Sequence, residues 1–369
     1  MIGGDPMLPL PSENHKVSPS FAFYIITSMQ LGVGILGFQR NVAKEAGHDS
    51  WISILITGLS LHIILWMTYQ ILNKGNNDIT VIHKDVFGKW IGGLFSISLI
   101  IYLLLLSITV TRNYIEVIQI WMFPEIDTWY LALILFALVY LYVIGGFRVI
   151  VGLCLLTFLI TLPLLLTFWF PMKEAKFSYL FPILDHSFIE ILSGSKEISF
   201  NYVGFETIFF FYPFLKNAVS SQKWAQYGLG YSTSVYLLTG LVSLVYFSHE
   251  QLANTIWGTL TLWKVVDLPF IERFEYVGLA IWLFVILPNI CLYTWAASRG
   301  IKQLFKVKQK HGIIVLLILL FIITISFTER QSVKQLLTVA GNVGFYVFYA
   351  YIPFIYFSQM ISHKMRRTK

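Results

Sequence analysis

The chain has 369 residues, of which 57% are hydrophobic, 17% aromatic and only 12% charged, with a formal net charge of +7. A soluble domain carries about 25% charged residues, so a soluble enzyme is excluded, and no soluble domain of any size fits between the closely spaced apolar runs. Positive charge would suit nucleic acid in a soluble protein. Here the basic residues collect in loops between apolar runs, which is a signal of membrane topology, and no nucleic-acid partner is expected.

An α-helix crosses the hydrocarbon core of a bilayer in about 20 apolar residues. The amino-terminal tail, residues 1–17, contains Pro9 and Pro11. The run that follows is too long for a signal-peptide core and has no small-residue cleavage site, so it reads as a retained helix. Spans are predicted near 18–39, 50–72, 90–120, 128–146, 149–171, 198–215, 224–247, 273–297, 311–328 and 335–361. About ten transmembrane helices make this an all-α membrane protein. With the amino terminus in the cytoplasm, sixteen basic residues fall inside and nine outside, and Arg112 lies within a span. The inner set is densest between Arg299 and Lys310 and in the tail 362–369, as the positive-inside rule requires. Acids gather in the outer loop 172–197, with Glu174, Asp185, Glu190 and Glu197. Both termini are therefore predicted to be cytoplasmic.

That loop separates two five-helix repeats, 18–171 and 198–361. Two like halves with an odd number of spans must have opposite topology. In such inverted repeats the first helix of each half is broken at mid-membrane and forms the ligand site. Spans one and six should therefore look interrupted.

Span one reads Met29-Gln30-Leu31-Gly32-Val33-Gly34-Ile35-Leu36-Gly37-Phe38. Three glycines within six residues weaken a helix by about 1 kcal/mol each relative to Ala, and they allow close backbone approach. Unwound backbone at membrane depth is tolerated only where protein buries it or it lines a cavity. The same residues match the dinucleotide fingerprint G-x-G-x-x-G, but that motif needs a preceding strand and a βαβ unit. Close helix packing through small residues is the competing explanation. Span six reads Asn201-Tyr202-Val203-Gly204-Phe205-Glu206-Thr207-Ile208, with Pro213 two turns later. A carboxylate within a span costs about 2.5–3.5 kcal/mol on the insertion scale and marks a functional site by default. A bridge to a neighbouring helix is the alternative. Glycine motifs at matched positions of two halves favour the ligand-site reading over either motif alone.

Other polar residues are weaker signals. Arg112 and Glu116, four apart on one helical face, can pair, though near the outer end of span three snorkelling is the ordinary explanation. Span eight carries Pro288, Asn289, Tyr293 and Thr294, and His62 in span two reads as a hydrogen-bonded interior residue. Cys154 and Cys291 show no CxxC or metal-type spacing. His249-Glu250 lacks the second histidine of a zinc protease motif, and no nucleophile elbow or phosphate-binding loop is found. No catalytic centre, metal or cofactor is expected.

Several motifs in chain order resemble the B subunits of bacterial spore germinant receptors, the spore-germination branch of the amino acid–polyamine–organocation transporters. They are Lys16-Val17-Ser18-Pro19 with Gln30 through Gly37; Gly145-Gly146-Phe147-Arg148; Phe181-Pro182-Ile183-Leu184 with Gly194; Gly204-Phe205-Glu206 with Tyr212-Pro213-Phe214; and Ile271-Glu272-Arg273-Phe274-Glu275 with Trp282. Phe147-Arg148 departs from the small or acidic residue frequent there. The resemblance implies a LeuT-like fold in the spore inner membrane, assembled with an A subunit and a lipoprotein C subunit. It implies a nutrient-sensing subunit that binds a small germinant, an amino acid or a sugar. An active secondary amino-acid transporter of the same superfamily is the alternative, since both need the same cavity. The candidate ligand-binding set is Gly32, Val33, Gly34 and Gly37; Tyr102; Gly204, Phe205 and Glu206; and Asn289 and Tyr293. Amides of Gly32 or Gly34 are expected to meet the ligand, because a half-helix amino-terminal end presents unpaired N–H groups.

Overall fold

The computed structural model describes residues 11–367, without the side chain of Arg367, so Pro9 and Lys369 lie outside the described residues. The described chain is helical throughout and has no strand. In order, the helices are α1 Phe21–Gln30, α2 Phe38–Ala46, α3 Ser50–Gly75, α4 Ile79–Trp121, α5 Thr128–Ile144, α6 Phe147–Leu166, α7 Phe188–Ser199 and α8 Ile208–Phe211. They continue as α9 Ser221–Tyr246, α10 Phe274–Phe305, α11 Gln309–Ser326, α12 Arg330–Tyr346 and α13 Ile352–Arg367. Among the described residues seven helical segments are long and apolar enough to cross a membrane, and α1 and α5 are shorter apolar helices. The region read as span six is not among them, because it is divided into pieces of three to twelve residues.

The surface shows what solvent the chain is built for. On α4, Leu94, Ile97 and Ile101 are exposed, and on α11 so are Val315, Ile318 and Ile322. Three- and four-residue spacings place each set on one helical face. In water such faces would be large apolar patches; against lipid they carry no penalty. Polar side chains are turned inward instead, with Gln30, Glu206 and Thr294 all fully buried. This is a multi-pass membrane protein.

Local sequence explains the helix ends. Gly88 (φ 82) splits a short leading piece, Ile79 to Phe87, from the main run of α4. Gly146 (φ 86) turns the chain into α6, and Asn76 (φ 45) closes α3. Between α12 and α13 lies one π-helical turn, Val347–Tyr351. There His83 Nε2 is 2.6 Å from the Tyr351 hydroxyl, and His83 Nδ1 is 2.9 Å from Ser96 Oγ.

The outer loop and the carboxy-terminal tail both contain helix. The segment 172–197, taken as a loop, contains most of α7. A capping box starts this helix: Ser187 Oγ accepts from Glu190 N, and Ser187 N donates to the Glu190 carboxylate at 2.7 Å. The Ser187 hydroxyl also donates to the Glu190 carboxylate at 2.8 Å, and this bond first and the backbone one second hold the Glu190 carboxyl below the usual carboxylate range. The tail 362–369 is helical through Arg367, because nothing there breaks α13. Arg366 Nη1 sits 2.9 and 3.1 Å from the two Asp85 carboxylate oxygens. Arg112 and Glu116 do not pair. Arg112 Nε donates to Phe327 O at 2.6 Å, and Glu116 faces Arg330 at 3.6 Å. His62 does hydrogen-bond, to Gln226 Oε1.

On one side of the bundle the chain is held by backbone and side-chain bonds. Val17 N donates to Phe214 O (2.9 Å) and Lys216 N donates to Val17 O (2.8 Å). Buried Asp78 accepts from Thr80 Oγ1 (2.6 Å), Gln303 Nε2 (2.6 Å) and Arg299 Nη2 (3.3 Å). The Arg299 guanidinium also lies 4.6 Å over the Phe214 ring. The other face carries a vestibule.

Candidate functional site

The site is built from two stretches where α-helix gives way. After Gln30 the backbone leaves α1 at Leu31 and Gly32, makes one 3-10 turn over Val33–Leu36, and re-enters helix at Phe38. An interrupted helix leaves carbonyls without their usual partners, and buried carbonyls must be satisfied. Side chains from the second half of the chain do this. Asn289 Nδ2 donates to Met29 O (3.0 Å), Trp282 Nε1 to Gly32 O (3.3 Å) and Thr259 Oγ1 to Ile35 O (2.7 Å). The Tyr236 hydroxyl lies 2.7 Å from Gln30 O and 3.0 Å from Asn201 O, sharing its proton between the two interruptions.

The second stretch follows α7. It runs through 3-10 turns at Phe200–Tyr202 and Phe205–Thr207, joined by extended Val203 and by Gly204 at φ 124. That φ favours glycine, and so does the space: a Cβ on Gly204 would meet Met29 O at 2.8 Å and the Tyr293 hydroxyl at 3.0 Å. Glycine is what lets the two interruptions touch. Glu206 is fully buried. Its Oε1 accepts from the Tyr102 hydroxyl (2.7 Å), and its Oε2 accepts from Gly204 N (2.8 Å). The carboxylate therefore clamps the turn that contains its own glycine to α4.

A vestibule of about 670 Å³ opens above these stretches, with Gly34, Gly37, Arg40, Lys196, Arg330 and Lys334 in its wall. Below it lies a chamber of about 50 Å³, bounded among others by Gln30, Gly32, Val33, Gly34, Asn289 and Tyr293. Gly34, Asn113, Phe200, Asn201 and Leu337 line both spaces, so the two adjoin. A water molecule takes roughly 30 Å³ in the liquid, so a solute the size of an amino acid requires the chamber walls to move.

The polar lining of the chamber has unmet bonding capacity. Both amide atoms of Gln30, together with Asn113 Oδ1 and Asn289 Oδ1, are buried without a protein hydrogen-bond partner. Such groups are rare, and each needs a reason.

The structure gathers Gly32, Val33, Gly34, Asn289 and Tyr293 around the chamber and sets Gly37 in the vestibule wall. Tyr102, Gly204, Phe205 and Glu206 form a layer against it, outside both linings, with Phe205 stacked on Phe348 at 4.9 Å. Sequence reasoning passed over Gln30, Asn113 and Asn201 as site residues, although Gln30 and Asn201 stand within the two motifs it quoted. It missed Tyr236 altogether, because a tyrosine in an apolar run carries no signal of what its hydroxyl will meet.

Two solved structures share this architecture. One is a Na+-coupled sialic acid symporter in a substrate-bound outward-open state, with a TM-score of 0.65 and 13% identity, covering 90% of this chain and 77% of that one. The other is MhsT in complex with L-phenylalanine, with a TM-score of 0.64 and 11% identity, covering 93% and 88%. At these identities the likeness shows the fold alone, which is LeuT-like. Sequence relatives go further. A family model described as "Spore germination protein" matches residues 16–333. Spore germination protein GerQB of Bacillus cereus is 43% identical over 98% of this chain and 100% of its own length. Spore germination protein YndE of Bacillus subtilis (strain 168) is 26% identical over 91% of this chain and 94% of its own. The chain belongs to the spore germination protein family.

Proposed function

We propose that this chain is the nutrient-sensing membrane subunit of a spore germination receptor, and that it binds a small germinant, an amino acid or a sugar, in the chamber between the two interruptions. The observation that carries this reading is the set of unpartnered amide atoms, both from Gln30 and the Oδ1 atoms of Asn113 and Asn289, beside the vestibule. A polar solute can supply their missing bonds, and each amide otherwise left unpaired costs about 1–3 kcal/mol. To drive a two-state balance from 1:99 to 99:1, the ligand must prefer one state by about 5.5 kcal/mol.

The reading includes an A subunit and a lipoprotein C subunit as partners, residence in the spore inner membrane, and cytoplasmic termini. It rests on the family and on the concentration of basic residues between Arg299 and Lys310 and in the segment 362–369. The described residues are membrane helices and the connections between them, so the chain should act only within a complex. Deleting the genes for the partner subunits should leave this protein unstable or inert in spores, as read by immunoblot and germination assays. Normal germination with this chain as the sole receptor component would remove the proposal.

A further inference from the structure

A second site lies on the vestibule face, apart from the chamber. His48 and Asp49 stand in the turn Gly47–Asp49 between α2 and α3, and His186 stands in the connection just before α7. One ligand-type atom from each of these three residues falls within 4.8 Å of the other two. The His48 and His186 rings meet edge to face with centroids 5.1 Å apart. His186 Nδ1 is 3.4 Å from Asp49 Oδ2.

Asp49 alone has an ordinary explanation. Its buried carboxylate accepts from the amides of Leu184 (2.8 Å), Asp185 (2.9 Å) and His186 (3.1 Å), which would fix the connection without any ion. That explanation does not cover the histidines. His48 Nε2 is buried without a hydrogen-bond partner, and the Asp185 carboxylate, 3.9 Å away, is too far to bond it. Gly47 (φ 46) leaves the room that His186 occupies, since a Cβ there would run into its ring.

We propose that His48, Asp49 and His186 form a binding site for a divalent transition metal of the zinc type. Two imidazoles and a carboxylate suit zinc and its neighbours, whereas calcium and magnesium take oxygen ligands. Bonds of about 2.0–2.2 Å to zinc place tetrahedral ligands roughly 3.3–3.5 Å apart, so small side-chain rotations would close the set. Asp185 or water can complete it. The ion would join the turn after α2 to the start of α7, and both helices supply vestibule wall, through Arg40 and Asn41 on one and Lys196 and Glu197 on the other. Metal occupancy would brace that wall. Binding itself does not depend on the germinant reading, and neither does its test.

The test uses untagged, chelator-treated, full-length protein in detergent, titrated with Zn2+ and followed by calorimetry, by bound metal per chain and by thermal unfolding. One equivalent should bind and raise the unfolding temperature, while Mg2+ should do neither. His48→Gln and His186→Gln, which leave the Asp49 carboxylate and its amide bonds in place, should each weaken zinc binding at least tenfold. Co2+ should give the visible spectrum of a four-coordinate site in the wild type, a readout that needs no variant to fold. No stoichiometric uptake of Zn2+ or Co2+ by folded wild-type protein would overturn the proposal. So would uptake left unchanged by both substitutions.

Discussion

Replacing Gly34 by Leu is expected to abolish the spore's response to germinant while leaving the protein in the membrane at close to normal abundance. Gly34 is shared by the vestibule and the chamber. Any side chain there points at Asn201, whose amide is the first group its Cβ would meet. Asn201 is free at its end and can swing away, so the fold should survive. A leucine would then fill a chamber of about 50 Å³ outright. Dose–response curves of spore germination should shift by at least about 100-fold, equivalent to ~2.7 kcal/mol. A Leu variant that responds at the wild-type concentration would place the ligand elsewhere. Gly37 makes a poorer test of the same idea, because a Cβ there strikes the Ile256 backbone carbonyl, which cannot step aside.

At Glu206 the largest expected loss follows removal of the side chain and not of its charge. Glu206→Ala deletes the acceptor for the Tyr102 hydroxyl and for Gly204 N, two buried donors. Stranding each costs about 1–3 kcal/mol, a large part of the roughly 5–15 kcal/mol that holds a typical protein folded. Protein abundance in spores should fall severalfold. Glu206→Gln can keep both contacts. Its amide oxygen accepts from Gly204 N, and its NH₂ donates to the Tyr102 oxygen, which then acts as acceptor. Abundance should stay near normal, and the germinant concentration for half-maximal response should move by less than about threefold. A carboxylate that pairs instead with a cationic amine on the ligand would require the Gln variant to need at least tenfold more germinant, about 1.4 kcal/mol, at unchanged abundance. Quantitative immunoblots and dose–response curves on the two variants separate the roles. Wild-type behaviour of both would exclude either one.

What could be read from the sequence was local. Glycine spacing pointed to the stretches 31–37 and 200–207, because three residues without side chains within six, or a glycine two positions before a carboxylate, change what a helix can do within a few residues. The apolar runs were equally plain, since each is a property of consecutive residues. What stayed hidden depends on distant parts of the chain meeting. The Tyr236 hydroxyl reaches Gln30 across 206 positions, and Trp282 reaches Gly32 across 250. His186 and Asp49 are 137 positions apart, so no ligand spacing could announce them. Glu206 was legible as important because its burial is costly, but that cost is the same whether its partner is a ligand or a tyrosine. The capping box that turns part of the outer loop into α7 was present as Ser187 and Glu190. It was overlooked because the acids of 172–197 were read for charge and not for position.

The most direct test of the central claim is thermal unfolding of the purified chain against a panel of amino acids and sugars, run in parallel on the wild type and on Gly34→Leu. A ligand that binds only the folded protein stabilises it by about 2.7 kcal/mol at 100 times its dissociation constant. The account predicts that at least one compound raises the unfolding temperature of the wild type in a saturable way and has no effect on Gly34→Leu. Equal stabilisation of the two proteins by the same compound would contradict a germinant site between the interruptions.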